Sequence, residues 1–222
     1  RYLPIYLFHQ SQILFDEGSF EYYKVRDDAL KFIRNSSSKL LSWYEVALVV
    51  NIMFHSMNLD DYETSLEISS ILEKRLELNP NNDREIEIYN RYINNIYWES
   101  EFDNISLILT WILNLTSSLD RVYPDEDFEK FIQRRDYFLE YVENALEEGL
   151  ITDIYASYWY GDIGAHIVDQ YSKCADAEEY FIKAFNIFDN LAQEDLPTDS
   201  YTERLTLVRC FINSKNIFKA KD

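Results

Sequence analysis

Apolar residues recur at steps of three and four along almost the whole of this chain, which is the period of one face of an α-helix. Ile86, Tyr89, Ile93 and Ile96 keep that step, as do Ile105, Leu109, Ile112 and Leu115. Phe128, Phe131, Ile132, Phe138 and Val142 keep it less cleanly. Alternation of the strand type over four or more residues is hard to find. Turn-forming residues are scarce to match: 4 Gly and 4 Pro in 222 residues leave little material for a turn-dense all-β fold or a flexible linker. With 47% apolar residues the chain can bury a sizeable core. The expected class is all-α.

Punctuation divides the helical pattern. Breaks are read at Asp16-Glu17-Gly18-Ser19, at Asn35-Ser36-Ser37-Ser38, at Asn58-Leu59-Asp60-Asp61 and at Asn79-Pro80-Asn81-Asn82-Asp83. Others fall at Ser100–Asp103, at Pro124-Asp125-Glu126-Asp127, at Gly149 and at Leu196-Pro197-Thr198-Asp199. Gly149 suits a left-handed C-terminal cap. The spacing predicts helices over 4–16, 20–35, 40–58, 61–78, 84–100, 103–121, 125–148, 152–172, 175–193 and 199–219. Short connections make antiparallel pairs. One domain over 1–222 is expected, with 79–83 as the candidate subdivision.

Charge narrows the partners. Lys and Arg number 21 against 40 Asp and Glu, a net charge of −19. Phosphate binding needs clustered bases, so direct contact with nucleic acid is not expected, and an acidic membrane surface would repel the chain. No run reaches the roughly 18 consecutive apolar residues of a membrane span. A basic protein segment or cationic peptide is the complementary partner. Cys174 and Cys210 match no zinc spacing; two cysteines suit free thiols in a reducing cytosol, with one disulfide left open. The chain opens at Arg1 rather than Met, which leaves open whether a removed segment or another domain precedes it.

Chemistry-bearing motifs are sparse. His9, His55 and His166 stand at no metal-ligand spacing, and HExxH, GxSxG, P-loop and GxGxxG patterns are absent. No calcium loop occurs. Acidic runs at Asp60-Asp61, Asp125-Glu126-Asp127 and Glu178-Glu179 sit at expected helix starts, where they offset the macrodipole. Catalytic residues, metal sites and cofactors are therefore expected to be none.

Polar stripes are the clearest candidate site. Asn51, His55 and Asn58 step by four and three on one helix. Asn90, Asn94 and Tyr97 repeat the step, and Asp162, His166 and Gln170 keep a similar one. His9, Gln12 and Asp16 form a fourth case. Carboxamides on such a face can hold a ligand's main chain, since Asn both donates and accepts. Tyr155, Tyr158, Trp159 and Tyr160 crowd one and a half turns, so some must leave the core; Tyr158 is assigned to the groove.

Phe20, Tyr62 and Phe102 each follow a short turn, about 40 residues apart, a spacing longer than the ~34 of a tetratricopeptide repeat. One segment is sharper. Tyr160, Ile163, Gly164 and Ile167 resemble the first helix of a tetratricopeptide repeat, and Ala177, Phe181, Ala184 and Phe185 resemble its second helix. The fit needs one extra residue near Tyr171–Cys174. Elsewhere it weakens: Trp43, Val46, Ala47 and Val50 keep the first-helix spacing, but Ser65 and Ser69 stand where small and aromatic residues are expected. Trp43-Tyr44-Glu45 and the Glu101-Phe102-Asp103-Asn104 turn also resemble the receptor domains of peptide-pheromone-sensing regulators of Gram-positive bacteria. These resemblances imply antiparallel helix pairs stacked as a right-handed tetratricopeptide-like solenoid, first helices lining a concave face, and a cytoplasmic, non-catalytic peptide-binding domain, possible as a homodimer. The alternative is an acidic immunity or inhibitor protein that neutralises a basic toxin or nucleic-acid-binding enzyme.

Overall fold

The structure, a computed structural model, describes residues 2–36, 43–75, 84–86, 88, 104–123, 127–190 and 199–213. Two compact units divide the chain, Arg1–Pro124 and Asp125–Asp222. The division falls between Pro124 and Asp125; residues 79–83 lie outside the described residues. Among the described residues the secondary structure is helical throughout, as the three- and four-residue spacing implies.

The first unit holds α1 (Leu3–Asp16), α2 (Glu21–Asn35), α3 (Trp43–Asn58), α4 (Tyr62–Arg75) and α5 (Asn104–Val122). Helical backbone also covers 84–86 and 88; the rest of the helix expected over 84–100 lies outside the described residues. Pro4 opens α1 in its first turn, where no intrahelical N–H is needed. Gly18 closes it at φ +61°, with Gly18 N–H donating to Phe15 and Ser19 N–H to Leu14, which satisfies two terminal carbonyls. Asp60 closes α3 in the same way at φ +57°. Asp61 then caps α4 by accepting from Thr64 N–H at 3.2 Å.

Helix α3 is the centre of this unit. Val46 to Val50, Ile52 and Met53 are all buried, so the helix meets neighbours on every side. It packs on α1, α2, α4 and α5. Trp111, Ile112 and Leu115 of α5 complete the core.

The second unit holds α6 (Phe128–Glu147), α7 (Asp153–His166), a π turn over Ile167–Tyr171, α8 (Cys174–Phe188) and α9 (Asp199–Asn213). Asp127 caps α6 through a 3.1 Å bond from Glu129 N–H. Gly149 ends it at φ +70°, as its position predicts. Helices α7 and α8 form the tightest pair. A Cβ on Gly164 would lie 3.1 Å from three ring atoms of Phe181, and Ala177, Phe181 and Ala184 are fully buried beside it. The small residues are therefore where the helix axes approach most closely. A π turn over Ile167–Tyr171, wider than an α turn by one residue, joins α7 to α8.

Phe20 follows the Gly18 turn at the start of α2, as its place in the sequence implies, and is 91% exposed. One expectation changes. The cysteines are not free thiols: Cys174 and Cys210 form a disulfide with Cα atoms 5.7 Å apart. Sequence separation of 36 hid the pairing, because only the return of α9 onto the π turn and α8 brings them together.

Candidate functional site

The α3 stripe points at α1. Asn51 donates from Nδ2 to Ser11 Oγ at 3.0 Å, and Ser11 itself donates to the Phe8 carbonyl at 2.9 Å. One turn on, His55 is 1% exposed and stacks on Phe15, with Tyr22 edge-on at 5.2 Å. Asn58 is exposed at the helix end and donates to the Phe54 carbonyl. The stripe thus runs from an inter-helix hydrogen bond through a buried aromatic stack to solvent. Only Asn58 of the three offers an open side chain. A neutral imidazole has the size and flatness of an aromatic ring, which is why it can replace one in a core.

Burial, and secondarily the Arg26 cation, push the His55 imidazole down to about 3. It is neutral at pH 7, and its Nδ1 finds no hydrogen-bond partner in the structure. Tyr22 Oη also lacks one, and burial pushes its phenol well above the usual range. Arg26 reaches past them to donate to Ser56 Oγ at 3.1 Å and to pair with Asp61, which keeps the Asp61 carboxyl below its ordinary range despite partial burial.

The α7 stripe behaves alike. Asp162 pairs with Arg135 of α6 at 3.1 Å, and that guanidinium is completely buried. It also lies over the Phe131 ring at 5.4 Å, which His166 stacks on from α7 at 4.9 Å. His166 is 2% exposed, whereas Gln170 projects from the π turn into solvent. The aromatic crowd divides as its spacing demands: Trp159 and Tyr160 are buried, and Tyr158 is 39% exposed. Tyr160 donates to Glu143 at 2.6 Å, and burial followed by that bond raises its phenol far above the ordinary value.

His55 and His166 therefore do not line an open face, contrary to the reading of both as groove residues. Periodicity marks a polar stripe but does not tell a solvated face from one covered by a neighbouring helix. Asn90, Asn94 and Tyr97 lie outside the described residues. His9, Gln12 and Asp16 are exposed on α1.

A polar seam between α4 and α5 escaped the sequence reading. Trp111 Nε1 donates to Ser69 Oγ at 2.9 Å, and Ser69 donates to Glu73 at 2.7 Å. Arg84 grips Glu73 with two bonds of 2.8 and 2.6 Å. Ser118 donates to the Asn114 carbonyl at 2.7 Å and accepts from Ser65 at 2.8 Å, and Asn114 donates to the Val50 carbonyl at 3.1 Å. Ser65 and Ser69, which depart from the repeat pattern, are the hydroxyls that this seam uses. Their regular spacing of four was the available signal.

Among the described residues, no group of three or more His, Cys, Asp or Glu side chains is placed to hold a metal ion. Nor is any described helix long and apolar enough to cross a membrane. No family model, curated protein or solved structure matches the chain.

Proposed function

We propose that this chain is a non-catalytic domain of tetratricopeptide-like helix pairs that binds a peptide or protein segment, as in the sensor half of a peptide-responsive regulator. The observation that carries the reading is the α7–α8 pair, where Gly164 seats the Phe181 ring beside buried Ala177 and Ala184, the arrangement expected of such a repeat. Lateral packing of α1 on α3 is consistent with neighbouring first helices of successive pairs. Exposed Asn58 in the first unit and, separately, exposed Tyr158 and Gln170 in the second supply amide and aromatic contacts, and the acid excess favours a basic segment. Asn90, Asn94 and Tyr97, outside the described residues, are further candidate contacts by their sequence spacing. The test is binding to an array of synthetic peptides: N90A/N94A should lose the signal while keeping the wild-type far-UV circular dichroism. Unchanged affinity in that variant would remove the groove.

The second reading is an acidic protein that neutralises a basic toxin or nucleic-acid-binding enzyme, and the net charge of −19 supports it. Capture of that kind should weaken steeply with salt, whereas docking of a largely apolar peptide should not.

A further inference from the structure

Among its described residues, helix α9 meets α7, the π turn and α8, and its buried side chains gather in one cluster. Among its described side chains, Cys210 and Phe211 are the buried ones. They join Cys174 in a small cluster, flanked by Val168 of the π turn and Leu207. Arg204 adds an ion pair with Asp189 and lies over the Phe185 ring at 4.7 Å, both near the surface. Exposed pairs of this kind hold an element weakly. Leu205, Val208 and Ile212, at steps of three and four, stay exposed on α9. Among its described side chains the helix therefore buries little apolar surface on the unit, and the Cys174–Cys210 bond lies within the cluster that it does bury.

We propose that the Cys174–Cys210 disulfide is a redox latch: oxidised, it holds α9 docked against the π turn and the start of α8; reduced, it releases α9 while α6, α7 and α8 stay folded. The inference is independent of what the chain binds. The reductant is a dithiol. One of its thiolates attacks a cysteine sulfur, breaking the Sγ–Sγ bond and forming a mixed disulfide. Its second thiolate displaces that cysteine, leaving two protein thiols and an oxidised dithiol; the dithiol's two protons pass to the cysteines. Both sulfurs are buried, so attack follows a local opening of α9. The Gly164–Phe181 contact and the Arg135–Asp162 pair involve none of the latch residues, which is why the remaining helices keep their packing.

Hydrogen–deuterium exchange on the full chain, with and without dithiothreitol, tests this. The isolated oxidised protein should show no alkylation by iodoacetamide. Reduction should then speed exchange at least tenfold in peptides covering 204–213 and leave those covering 131–146 and 156–165 unchanged. The C174A/C210A variant, checked by far-UV circular dichroism, should match the reduced chain. Unaltered exchange in α9 after reduction overturns the latch. So does loss of protection across the whole second unit, which would make the bond a staple for the entire fold, and so do free thiols in protein isolated under non-reducing conditions.

Discussion

The imidazole of His55 lies flat on the ring of Phe15, with centroids 3.9 Å apart and planes 13° from parallel. The stack joins α3 to α1 and requires a neutral histidine, since burial opposes the charge and Arg26 repels it. The unfolded chain protonates His55 near 6.5, the folded chain near 3. The unfolded state therefore binds more protons between those values, and stability is full above 6.5 and falls as the pH drops towards 3. The slope from this group is about 1.4 kcal/mol per pH unit. Urea denaturation between pH 7 and 5 should show it, and His55→Phe should flatten it while keeping the stack. An equal slope in the variant would place the titration elsewhere.

Ser69 mediates between Trp111 and Glu73 inside the α4–α5 seam. Ser69→Ala leaves the buried indole N–H without its acceptor, at a cost of about 1–3 kcal/mol. Trp111→Phe removes the donor. The double variant should lose less than the two single losses added together, with a coupling above roughly 0.5 kcal/mol by chemical denaturation. Additive losses would mean the hydrogen bond contributes nothing.

Gly164 and Gly18 should respond to alanine for different reasons. At Gly164 a methyl would press on the Phe181 ring at 3.1 Å, and Phe181 is fully buried. Overpacking costs about 1–3 kcal/mol and outweighs the roughly 0.5–1 kcal/mol gain of alanine over glycine within a helix. Gly164→Ala should thus lower the melting temperature, and adding Phe181→Leu should restore part of it. At Gly18 the space is open, but φ is +61°, so the cost of Gly18→Ala comes from the backbone alone and a smaller neighbour cannot relieve it.

Asp60 occupies the same left-handed position at the end of α3, and its side chain gains only a long, exposed bond from Tyr62 at 3.3 Å. Asp60→Gly should stabilise the first unit by about 0.5–1 kcal/mol. A loss on thermal melting would assign Asp60 a role that its contacts do not show.

Part of the candidate site was legible. Tyr158 and Gln170 are exposed as their spacing implied, and the division among Tyr158, Trp159 and Tyr160 follows from three adjacent residues pointing in different directions on a helix. His55 and His166 were misplaced because a histidine at helical spacing is equally at home in water and against a phenylalanine. Ser65 and Ser69 read as departures from a repeat because their partners, Ser118 and Trp111, are 53 and 42 residues away.

The sequence by itself determined where helices run and where they stop. Breaks at Gly18, Asp60 and Gly149 coincide with left-handed backbone, because the hydrogen bonds that end a helix are made within a few residues of it. Gly164 opposite Phe181 was also readable, since both sit in one local hairpin. Tertiary structure alone decided what covers each face. It turned the α3 stripe onto α1, buried Arg135 against Asp162 and brought Cys174 to Cys210. The period of a helix says that one side differs from the other; which distant element meets that side depends on contacts whose closure no local pattern encodes.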